Sequence, residues 1–335
     1  MRRPTPGAAP HGRRAVVLGG TGWLGRHVCA ELARRGYGLI AVARHPAPHA
    51  AGHRFVSLDL ETATAERIGA LLARERAHLI VNATDAANAT DGWDRTEEEM
   101  VRMNLDLVRR LLAGIGSLPW RPRLVHIGTV HEYGDVPVGT SVGEHTRPNP
   151  RTPYARTKLA GSQAVLRAAR TGEVDALVLR SANISGPHPS PESFPGKLVA
   201  MLRAALAEGG VMSVTVTDTR RDYVDVRDVA RAVALAAEAD CPGRAIAIGS
   251  GRAVAARTLV ETFAAVTGHP VRIVAAEDRR AAGLGGAWMR VDPRPAAELL
   301  GWRARIAASH PPARTRVARI DAMLRHPTET SRSRI

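Results

Sequence analysis

The chain has 335 residues, of which 44% are hydrophobic and 24% are charged, as in ordinary globular proteins. This composition excludes a collagen-like or intrinsically disordered chain, and the length predicts one large domain or two closely joined domains. The two cysteines, Cys29 and Cys241, lie far apart without metal-ligand spacing, so we expect neither a disulfide nor a metal site and favour a reducing cytoplasm. We also expect no membrane-spanning segment and no signal peptide, because no long apolar run is present.

The formal net charge of +15 raises the question of a nucleic-acid partner. Arginine accounts for all but two of the 47 cationic residues, and the chain is also rich in alanine, glycine and proline, which share GC-rich codons. The base composition of the gene therefore explains the charge better than a binding surface does, and no nucleic-acid-binding module accompanies it. We predict no nucleic-acid partner, although the positive field favours an anionic ligand such as a nucleotide or a sugar diphosphate.

Short apolar runs alternate with amphipathic stretches over the first half of the chain. In chain order, the pattern predicts strand 15–20, helix 27–36, strand 39–44, helix 66–75, strand 78–84, helix 98–115, strand 123–129, helix 154–170 and strand 176–182. Continuous apolar strands separated by amphipathic helices are typical of a parallel sheet that is covered on both faces. The sequence therefore predicts a doubly wound α/β fold of the Rossmann type.

The second half of the chain has a less regular pattern with proline-rich loops. We expect residues 183–325 to form mainly a smaller, interleaved substrate-binding lobe, with one strand near 244–250 that returns to the main sheet. Residues 1–13 and 326–335 lack apolar periodicity and are predicted to be a disordered leader and a loose tail.

Three glycines, Gly19, Gly22 and Gly25, lie directly after the first predicted strand and open the first predicted helix. Glycine permits a tight turn and lets the backbone approach a pyrophosphate, whose charge then meets the exposed N–H groups of the helix. Strand, turn and helix follow the order that dinucleotide binding requires, so we expect residues 14–182 to be an NAD(P)-binding domain. The alternative is a glycine-rich turn with a structural role only.

The end of the second predicted strand selects the cofactor, because an acidic residue there bonds a ribose 2′-OH and a basic residue accepts a 2′-phosphate. Arg44 and His45 stand at this place and no Asp or Glu does, which favours NADPH over NADH. A surface role for Arg44 stays open, since arginine is so frequent in this chain. Asp59, in the next extended segment, is a candidate partner of the adenine amino group, with a solvated loop aspartate as the alternative.

Tyr154 and Lys158 are four residues apart at the start of a predicted helix, which places a phenol and an ammonium on one face. A nearby ammonium favours the phenolate, so we expect Lys158 to lower the pKa of Tyr154. Such a pair passes a proton to or from a carbonyl or alcohol oxygen. Thr129 ends the preceding predicted strand and is expected to offer its hydroxyl to the same oxygen.

Together, these motifs resemble the extended short-chain dehydrogenase/reductases, in particular their nucleotide-sugar epimerase/dehydratase group. The resemblance covers about residues 14–325. It is carried by GGTGWLG (19–25), LDL (58–60), VNAT (81–84), Asn104, TVHEYG (129–134), YARTK (154–158), RSANISGP (180–187), RRDYVDVRDVA (220–230) and DPRPAAELLGW (292–302). The family usually has Ser-Ser or Ser-Thr where this chain has Gly128-Thr129, so one auxiliary hydroxyl is missing.

The resemblance implies an NAD(P)-dependent enzyme with Thr129, Tyr154 and Lys158 as its catalytic set, Lys158 also holding the nicotinamide ribose. Beside the cofactor-binding residues already named, it implies contacts by Trp23, Leu24, Leu60, Asn82 and Ala83. It also implies that the substrate is a nucleotide-diphosphate sugar, which Asn183 and Arg221 bind together with Thr129 and Tyr154. Arg221 would reach the diphosphate end, a role that suits the fixed fork of donors on a guanidinium.

The residues after the catalytic threonine separate the reactions of this group. Dehydratases have an Asp-Glu pair there, whereas this chain has Val130-His131, and a valine cannot donate a proton, so we expect no dehydration. Epimerisation at C3 and C5 needs further bases, and His131 is the only comparable residue after Thr129. We favour an ordinary loop role for His131. A 4-epimerase, which retains NAD⁺, and a 4-ketoreductase, which consumes NADPH, remain.

Arg44 favours the ketoreductase, and residues 93–108 resemble the ketoreductases that complete thymidine-diphosphate deoxysugars in actinobacterial antibiotic and other natural-product pathways. We therefore expect NADPH-dependent reduction of the C4 ketone of a nucleotide-diphosphate 4-keto-6-deoxyhexose. The alternatives are an NAD-dependent nucleotide-sugar 4-epimerase and a non-catalytic NAD(P)-binding regulator. Similar enzymes pair the helices at 96–113 and 154–170 into a dimer interface, so we expect a homodimer.

Overall fold

The computed structural model of the protein describes residues 12–85, 95–275 and 286–306. The tail expected at 326–335, and residues 1–11 of the expected leader, lie outside the described residues. No helix in these three ranges combines the length and the apolar character that crossing a bilayer requires.

The described residues form strands and helices that we number in chain order. The strands are β1 (Arg14–Leu18), β2 (Gly38–Ala43), β3 (Arg54–Ser57), β4 (Leu79–Asn82), β5 (Arg123–Thr129), β6 (Asp175–Ser181), β7 (Asn183–Ser185), β8 (Met212–Val216), β9 (Arg220–Asp225), β10 (Ala245–Ile248), β11 (Ala253–Ala255), β12 (Val271–Ala275) and β13 (Trp288–Met289). The helices are α1 (Trp23–Arg34), α2 (Ala65–Arg74), α3 (Glu97–Val101), α4 (Leu107–Gly116), α5 (Pro153–Arg170), α6 (Phe194–Glu208), α7 (Val226–Ala236), α8 (Ala256–Thr267) and α9 (Arg294–Leu300).

Seven strands form the central sheet, in the order β10-β6-β5-β4-β1-β2-β3, and every neighbouring pair is parallel. From β1 the chain builds one half of the sheet through β2 and β3, and at β4 it returns to build the other half. This arrangement confirms the predicted doubly wound α/β fold. Ligands of such sheets bind at the carboxyl ends of the strands, where the strand order reverses.

Successive residues of β1 face opposite sides of the sheet, because side chains alternate along a strand. Val17 packs in one apolar cluster with Val28 and Leu32 of α1, whereas Val16 packs in a second cluster with Ile68 of α2. All five side chains are fully buried, and burial of one such side chain contributes about 1.5–3 kcal/mol. The two clusters hold the sheet between α1 and α7 on one face and α2, α4 and α5 on the other.

Two smaller sheets follow β6. In one of them β9 pairs with β7, β11 and β13, and in the other β8 pairs with β12. A third apolar cluster, which includes Leu202, Val214 and Val260, joins α6 and α8 to β8. Between these segments the chain returns to the central sheet at β10, which pairs with β6.

The helix predicted at 98–115 is not one continuous α-helix, because α3 and α4 flank a π-helical turn at Arg102–Asp106. Asn104 in this turn is buried, and its side chain donates a hydrogen bond to the Thr157 hydroxyl of α5 at 3.1 Å. Gly161 of α5 lies against the same turn, where a Cβ would come within 2.1 Å of the Asn104 carbonyl oxygen. Close contact with α5 therefore accompanies the departure from α-helical geometry, and the apolar period alone does not predict it.

Candidate functional site

A cavity of about 550 Å³ opens at the carboxyl ends of the central strands, where the strand order reverses. Of the residues predicted to form the site, those that line the cavity are Gly19, Gly22, Trp23, Leu24, Arg44, Asp59, Leu60, Ala83, Thr129, Tyr154, Lys158 and Asn183. Gly25, Asn82 and Arg221 are not among its lining residues. The fold thus brings most of the predicted site into one cleft, from positions up to 164 residues apart along the chain.

The glycine-rich turn after β1 has the shape that a dinucleotide requires. Gly19 has a φ of 76°, which favours glycine, and a Cβ there would come within 2.9 Å of the Ala83 carbonyl oxygen. Gly22 is the N-cap residue before α1 and provides no side-chain hydrogen bond, so the first N–H groups of the helix are open to an anionic group. Gly25 lies behind the turn, where a Cβ would be 2.0 Å from the Gly19 carbonyl oxygen. Gly25 thus lets α1 approach the turn closely, and its predicted cofactor contact stays a prediction.

Arg44 lies in the cleft at the end of β2, next to His45. Its guanidinium has no hydrogen-bond or ion-pair partner within the described part of the chain. Asp59, across the same end of the cleft, accepts a hydrogen bond from the Glu61 N–H at 3.0 Å and so shapes the loop after β3. An unpaired guanidinium in a cleft suits an anionic group of a ligand.

Asn82 ends β4, but its side chain is buried and is not among the lining residues of the cavity. Its amide nitrogen lies 3.2 Å from Nδ1 of His126, and its oxygen accepts hydrogen bonds from the N–H and the hydroxyl of Thr84. Asn82 thus shapes the start of the loop that carries Ala83 and Asp85 into the cleft. The contact with the cofactor that is predicted for Asn82 stays a prediction.

Thr129, Tyr154 and Lys158 come together because β5 ends at the cleft and α5 begins there. The Lys158 side chain is buried, and its ammonium donates to the Ile127 carbonyl oxygen at 2.8 Å. The Thr129 hydroxyl accepts a hydrogen bond from the His131 N–H at 3.3 Å and is also hydrogen-bonded to the Tyr154 phenol. Two hydroxyl groups are thus adjacent in the cleft, with the ammonium one helical turn away.

The Tyr154 phenol donates a hydrogen bond to the Asp85 carboxylate, with 3.0 Å between the oxygens. Burial, the charge and hydrogen bond of Asp85, and the charge of Glu132 raise the pKa of Tyr154 well above its ordinary value, against a smaller opposing effect of Thr129. The expected lowering of this pKa by Lys158 is therefore wrong. The Lys158 ammonium is bound to a backbone carbonyl, and burial and the carboxylates determine the direction.

Glu132 is a buried carboxylate that motif analysis does not single out. Its oxygens accept hydrogen bonds from the Thr129 N–H at 3.0 Å, the Ser162 hydroxyl at 2.9 Å and the Arg180 guanidinium at 2.7 Å. It therefore ties β5, α5 and β6 together directly behind Thr129. A Cβ at Gly128 would come within 2.5 Å of a Glu132 oxygen, which explains why no second hydroxyl precedes Thr129. The Thr-x-x-Glu spacing from Thr129 to Glu132 is that of a capping box, and it is the feature of the sequence that could have indicated a contact between these two residues.

The three residues on the substrate side of the cleft differ in exposure to it. Asn183 lines the cavity and donates its amide N–H to a backbone carbonyl of β9 at 3.2 Å. Arg221 instead donates to the Gly286 carbonyl oxygen at 2.9 Å and does not line the cavity. His131 lines the cavity, and burial together with the charge of Arg221 lowers its pKa to about 4, although a hydrogen bond with Asn183 opposes this. The His131 imidazole is therefore neutral at neutral pH.

The glycine-rich turn and the proline-rich loop before α6 are joined beside the cleft. Nε1 of Trp23 donates to the Pro187 carbonyl oxygen at 2.9 Å, and Nε2 of His27 lies 3.3 Å from the same oxygen. Burial lowers the pKa of His27 to about 4, so its ring is also neutral at neutral pH. Ser190 and Phe194, farther along the same segment, line the cavity. One carbonyl oxygen thus connects the two sides of the cleft.

Comparison of the sequence with known proteins finds one family. The NAD dependent epimerase/dehydratase family matches residues 15–249. The chain is 36% identical over 301 residues to the dTDP-6-deoxy-L-talose 4-dehydrogenase (NAD(P)⁺) of Kitasatospora kifunensis, an alignment that covers 89% of this chain and 93% of that protein. It is 30% identical over 325 residues to the probable dTDP-4,6-dihydroxy-2-methyloxan-3-one 4-ketoreductase of Streptomyces antibioticus, with 90% and 98% covered. It is also 26% identical over 320 residues to the UDP-glucose 4-epimerase of Mycolicibacterium smegmatis, with 90% and 97% covered.

Comparison with solved structures gives the same fold. The structure of MoeE5 in complex with UDP-glucuronic acid and NAD aligns with a TM-score of 0.76 at 26% sequence identity. The alignment covers 88% of this chain and 95% of that chain.

Proposed function

Because the chain belongs to the NAD-dependent epimerase/dehydratase family, we propose that it reduces the C4 ketone of a nucleotide-diphosphate 4-keto-6-deoxyhexose with NADPH. It is accordingly an NAD(P)-dependent enzyme that acts on nucleotide sugars. Thymidine diphosphate is the favoured nucleotide, since the names of the Kitasatospora and Streptomyces relatives both specify dTDP sugars.

One observation carries the choice of reduction with NADPH, namely that the Arg44 guanidinium lies in the cleft at the end of β2 without a partner within the described residues, where it suits a 2′-phosphate. Ketone reduction needs a proton donor at the carbonyl oxygen, whereas alcohol oxidation and 4-epimerisation begin with a base that removes a proton. Tyr154, whose phenol donates a hydrogen bond in the cleft, is the proton donor that the proposed reduction uses. Val130 is buried next to Thr129 and has no acidic group, so this position provides no acid for dehydration.

In the proposed reaction the hydroxyl groups of Thr129 and Tyr154 hold the substrate carbonyl oxygen by hydrogen bonds. NADPH, when bound, supplies the hydride that adds to C4 of the sugar. Tyr154 gives its O–H proton to the same oxygen, so the ketone becomes an alcohol and the phenolate takes up a proton from solvent. Lys158 holds the nicotinamide ribose, and its positive charge stabilises the transient phenolate.

The cofactor roles proposed for the cleft follow from its chemistry. The turn at Gly19 and Gly22 and the open N-terminus of α1 suit the pyrophosphate, and Arg44, which has no side-chain partner among the described residues, suits a 2′-phosphate. Trp23, Leu24, Asp59, Leu60 and Ala83 complete the proposed cofactor surface. On the substrate side, Asn183 contacts the sugar, whereas Arg221 must leave the Gly286 carbonyl to reach a diphosphate.

The proposed assembly is a homodimer through α4 and α5. A groove on the outer side of these helices is lined by half-buried apolar side chains, among them Leu112 and Ala164, and by charged side chains such as Arg109 and Glu173. A second copy of the same helices would cover these side chains in a two-fold arrangement.

A nucleotide-sugar 4-epimerase is the second candidate, because the Mycolicibacterium epimerase aligns over 90% of the chain. An epimerase retains its NAD⁺ between turnovers, so the purified protein would carry bound NAD⁺ and interconvert C4 epimers without consuming NADPH. A reductase releases its cofactor in every cycle. A third candidate, a regulator that binds NAD(P) without turnover, leaves the adjacent Thr129, Tyr154 and Lys158 unexplained.

The test is incubation of the purified protein with NADPH and a panel of thymidine and uridine diphosphate 4-keto-6-deoxyhexoses. NADPH oxidation is followed by absorbance, and the C4 configuration of the product is determined by NMR. We expect stoichiometric NADPH oxidation with at least one thymidine nucleotide. Absence of reduction across the whole panel would overturn the proposed function.

A further inference from the structure

The Glu132 carboxylate joins two elements that carry groups of the proposed reaction. One of its oxygens, Oε1, accepts hydrogen bonds from the Thr129 N–H of β5 at 3.0 Å and from the Ser162 hydroxyl of α5 at 2.9 Å. The other oxygen, Oε2, accepts a hydrogen bond from the Arg180 guanidinium of β6 at 2.7 Å. All four residues are buried. A single oxygen atom therefore connects the end of β5 to the helix that carries Tyr154.

The Thr129 hydroxyl is held by the same turn. Its oxygen accepts a hydrogen bond from the His131 N–H at 3.3 Å while the Thr129 N–H donates to Glu132, so both the side chain and the backbone of this threonine are fixed. Ser162 lies one helical turn after Lys158 on α5. The two hydrogen bonds to Oε1 therefore determine how far the Thr129 hydroxyl stands from the phenol and the ammonium of α5.

Close packing keeps the Glu132 carboxylate in this place. A Cβ at Gly128 would come within 2.5 Å of Oε1 and within 3.0 Å of the Ser162 hydroxyl oxygen, so the carboxylate and the glycine fit directly against each other. On the other side, the Arg180 guanidinium that binds Oε2 lies 4.8 Å from the centre of the Tyr133 ring. A buried polar group whose partners are all present is held in one arrangement.

We propose that Glu132 is a positioning residue, which holds the Thr129 hydroxyl at the distance from Tyr154 at which both hydroxyl groups reach one C4 oxygen of the substrate. The inference rests on the proposed function, in which these two hydroxyl groups share that oxygen. Glu132, Ser162 and Arg180 are not among the lining residues of the cavity. The effect of Glu132 on the reaction therefore passes through the residues it holds, of which Thr129 lines the cavity.

The expected effect on turnover follows from the hydrogen bonds. In Glu132→Gln, either orientation of the new amide places its NH₂ group against another donor, so the three hydrogen bonds cannot all be kept. A misplacement of about 1 Å in the groups that hold a substrate lowers the rate by up to about a hundredfold, and we expect kcat to fall about tenfold. The KM for NADPH should stay within about twofold, because Glu132 contacts neither the glycine-rich turn nor Arg44.

The experiment is a double-mutant cycle in kcat with Glu132→Gln and Thr129→Val. Thr129→Val keeps the backbone N–H and removes the hydroxyl that Glu132 is proposed to hold in place. We expect Glu132→Gln to lower kcat about tenfold in the wild type and by less than about twofold in the Thr129→Val background. General damage to the fold would act in both backgrounds alike. Equal factors in the two backgrounds, or no loss in Glu132→Gln alone, would overturn the proposal.

Two further variants separate positioning from loss of the fold. Ser162→Ala removes one hydrogen bond to Oε1 without removing a charge, and it should lower kcat about threefold in the wild type but not in the Thr129→Val background. If Glu132→Gln does not fold, this second cycle tests the proposal by the same criterion. Glu97→Gln is the matched control, since it removes an exposed carboxylate that is paired with Arg156, and it should leave kcat unchanged.

Failure of the proposed function gives a different result from failure of this proposal. A 4-epimerase would hold the same C4 oxygen, so the cycle is measured in whichever reaction the wild type catalyses. Interconversion of C4 epimers without NADPH consumption would refute the proposed function, and the coupling of Glu132 to Thr129 would still be measured.

For a protein with neither activity, calorimetric affinity for thymidine diphosphate glucose in the presence of NADP⁺ takes the place of kcat. Glu132→Gln and Thr129→Val should each weaken binding about threefold, and the double variant should bind no more weakly than the single variants. Additive losses, or no loss in Glu132→Gln, would overturn the role of Glu132.

Discussion

Replacing Glu132 by glutamine removes the charge at the centre of the network behind Thr129 while keeping the size of the side chain. The Glu132 and Arg180 side chains are 0% and 5% exposed, so the variant leaves the Arg180 guanidinium buried without its counter-charge. Breaking a buried ion pair by removing one partner costs about 3–5 kcal/mol. For a chain of 335 residues, we expect the midpoint of thermal unfolding to fall by about 4–7 °C.

The assay is differential scanning calorimetry of the wild type and Glu132→Gln at equal protein concentration and scan rate. Glu97→Gln makes the same chemical change in a pair whose side chains are 55% and 47% exposed, and it should cost no more than about 1 kcal/mol. The double variant Glu132→Gln with Arg180→Met should lose less than the sum of the two single variants, since no buried charge is left unpaired. If Glu132→Gln unfolds within 2 °C of Glu97→Gln (a threshold of roughly 1 kcal/mol), the buried pair does not stabilise the fold as argued.

Three further outcomes are expected. Tyr154→Phe should lower turnover by about a hundredfold or more while leaving NADPH affinity, measured by fluorescence titration, within a few fold, and wild-type turnover would refute its role as acid. Arg44→Asp should weaken NADPH binding selectively, by about 1.5–3 kcal/mol, because it replaces an attractive charge at the 2′-phosphate with a repulsive one. Equal KM values for NADPH and NADH in the parent protein would contradict this assignment. Light scattering at micromolar concentration should give the mass of a dimer, and a monomeric mass would count against the interface proposed for α4 and α5.

The elements that determine the fold were predictable because their signals are local. Alternation along β1 and the apolar face of α2 are periodic patterns that tertiary contacts did not override. The cleft was also predictable in outline, since the carboxyl ends of parallel strands meet at one edge, which places Thr129 and Tyr154 together although they are 25 residues apart.

Side-chain partners that depend on distant segments were not predictable in the same way. The Asp85 carboxylate that accepts the Tyr154 hydrogen bond, and the Gly286 carbonyl that binds Arg221, depend on how loops far apart in the sequence meet. Spacing along α5 places Lys158 on the same face as Tyr154, but spacing cannot show that its ammonium is taken by the Ile127 carbonyl. A pKa depends on the sum of burial and all neighbouring charges, so one neighbour identified from spacing gave the wrong sign.

The carbonyl of Pro187 has a thermodynamic consequence for how the two ligands bind. This oxygen accepts hydrogen bonds from Trp23 and His27 of α1, the helix that follows the glycine-rich turn. Pro187 itself belongs to the loop before α6, whose later residues line the cavity. A ligand that orders one of these segments lowers the entropic cost of ordering the other, so occupancy of the dinucleotide turn and occupancy of the sugar end are expected to be energetically linked. Linkage of this kind is reciprocal: the factor by which bound NADPH tightens nucleotide-sugar binding must equal the factor by which the sugar tightens NADPH binding.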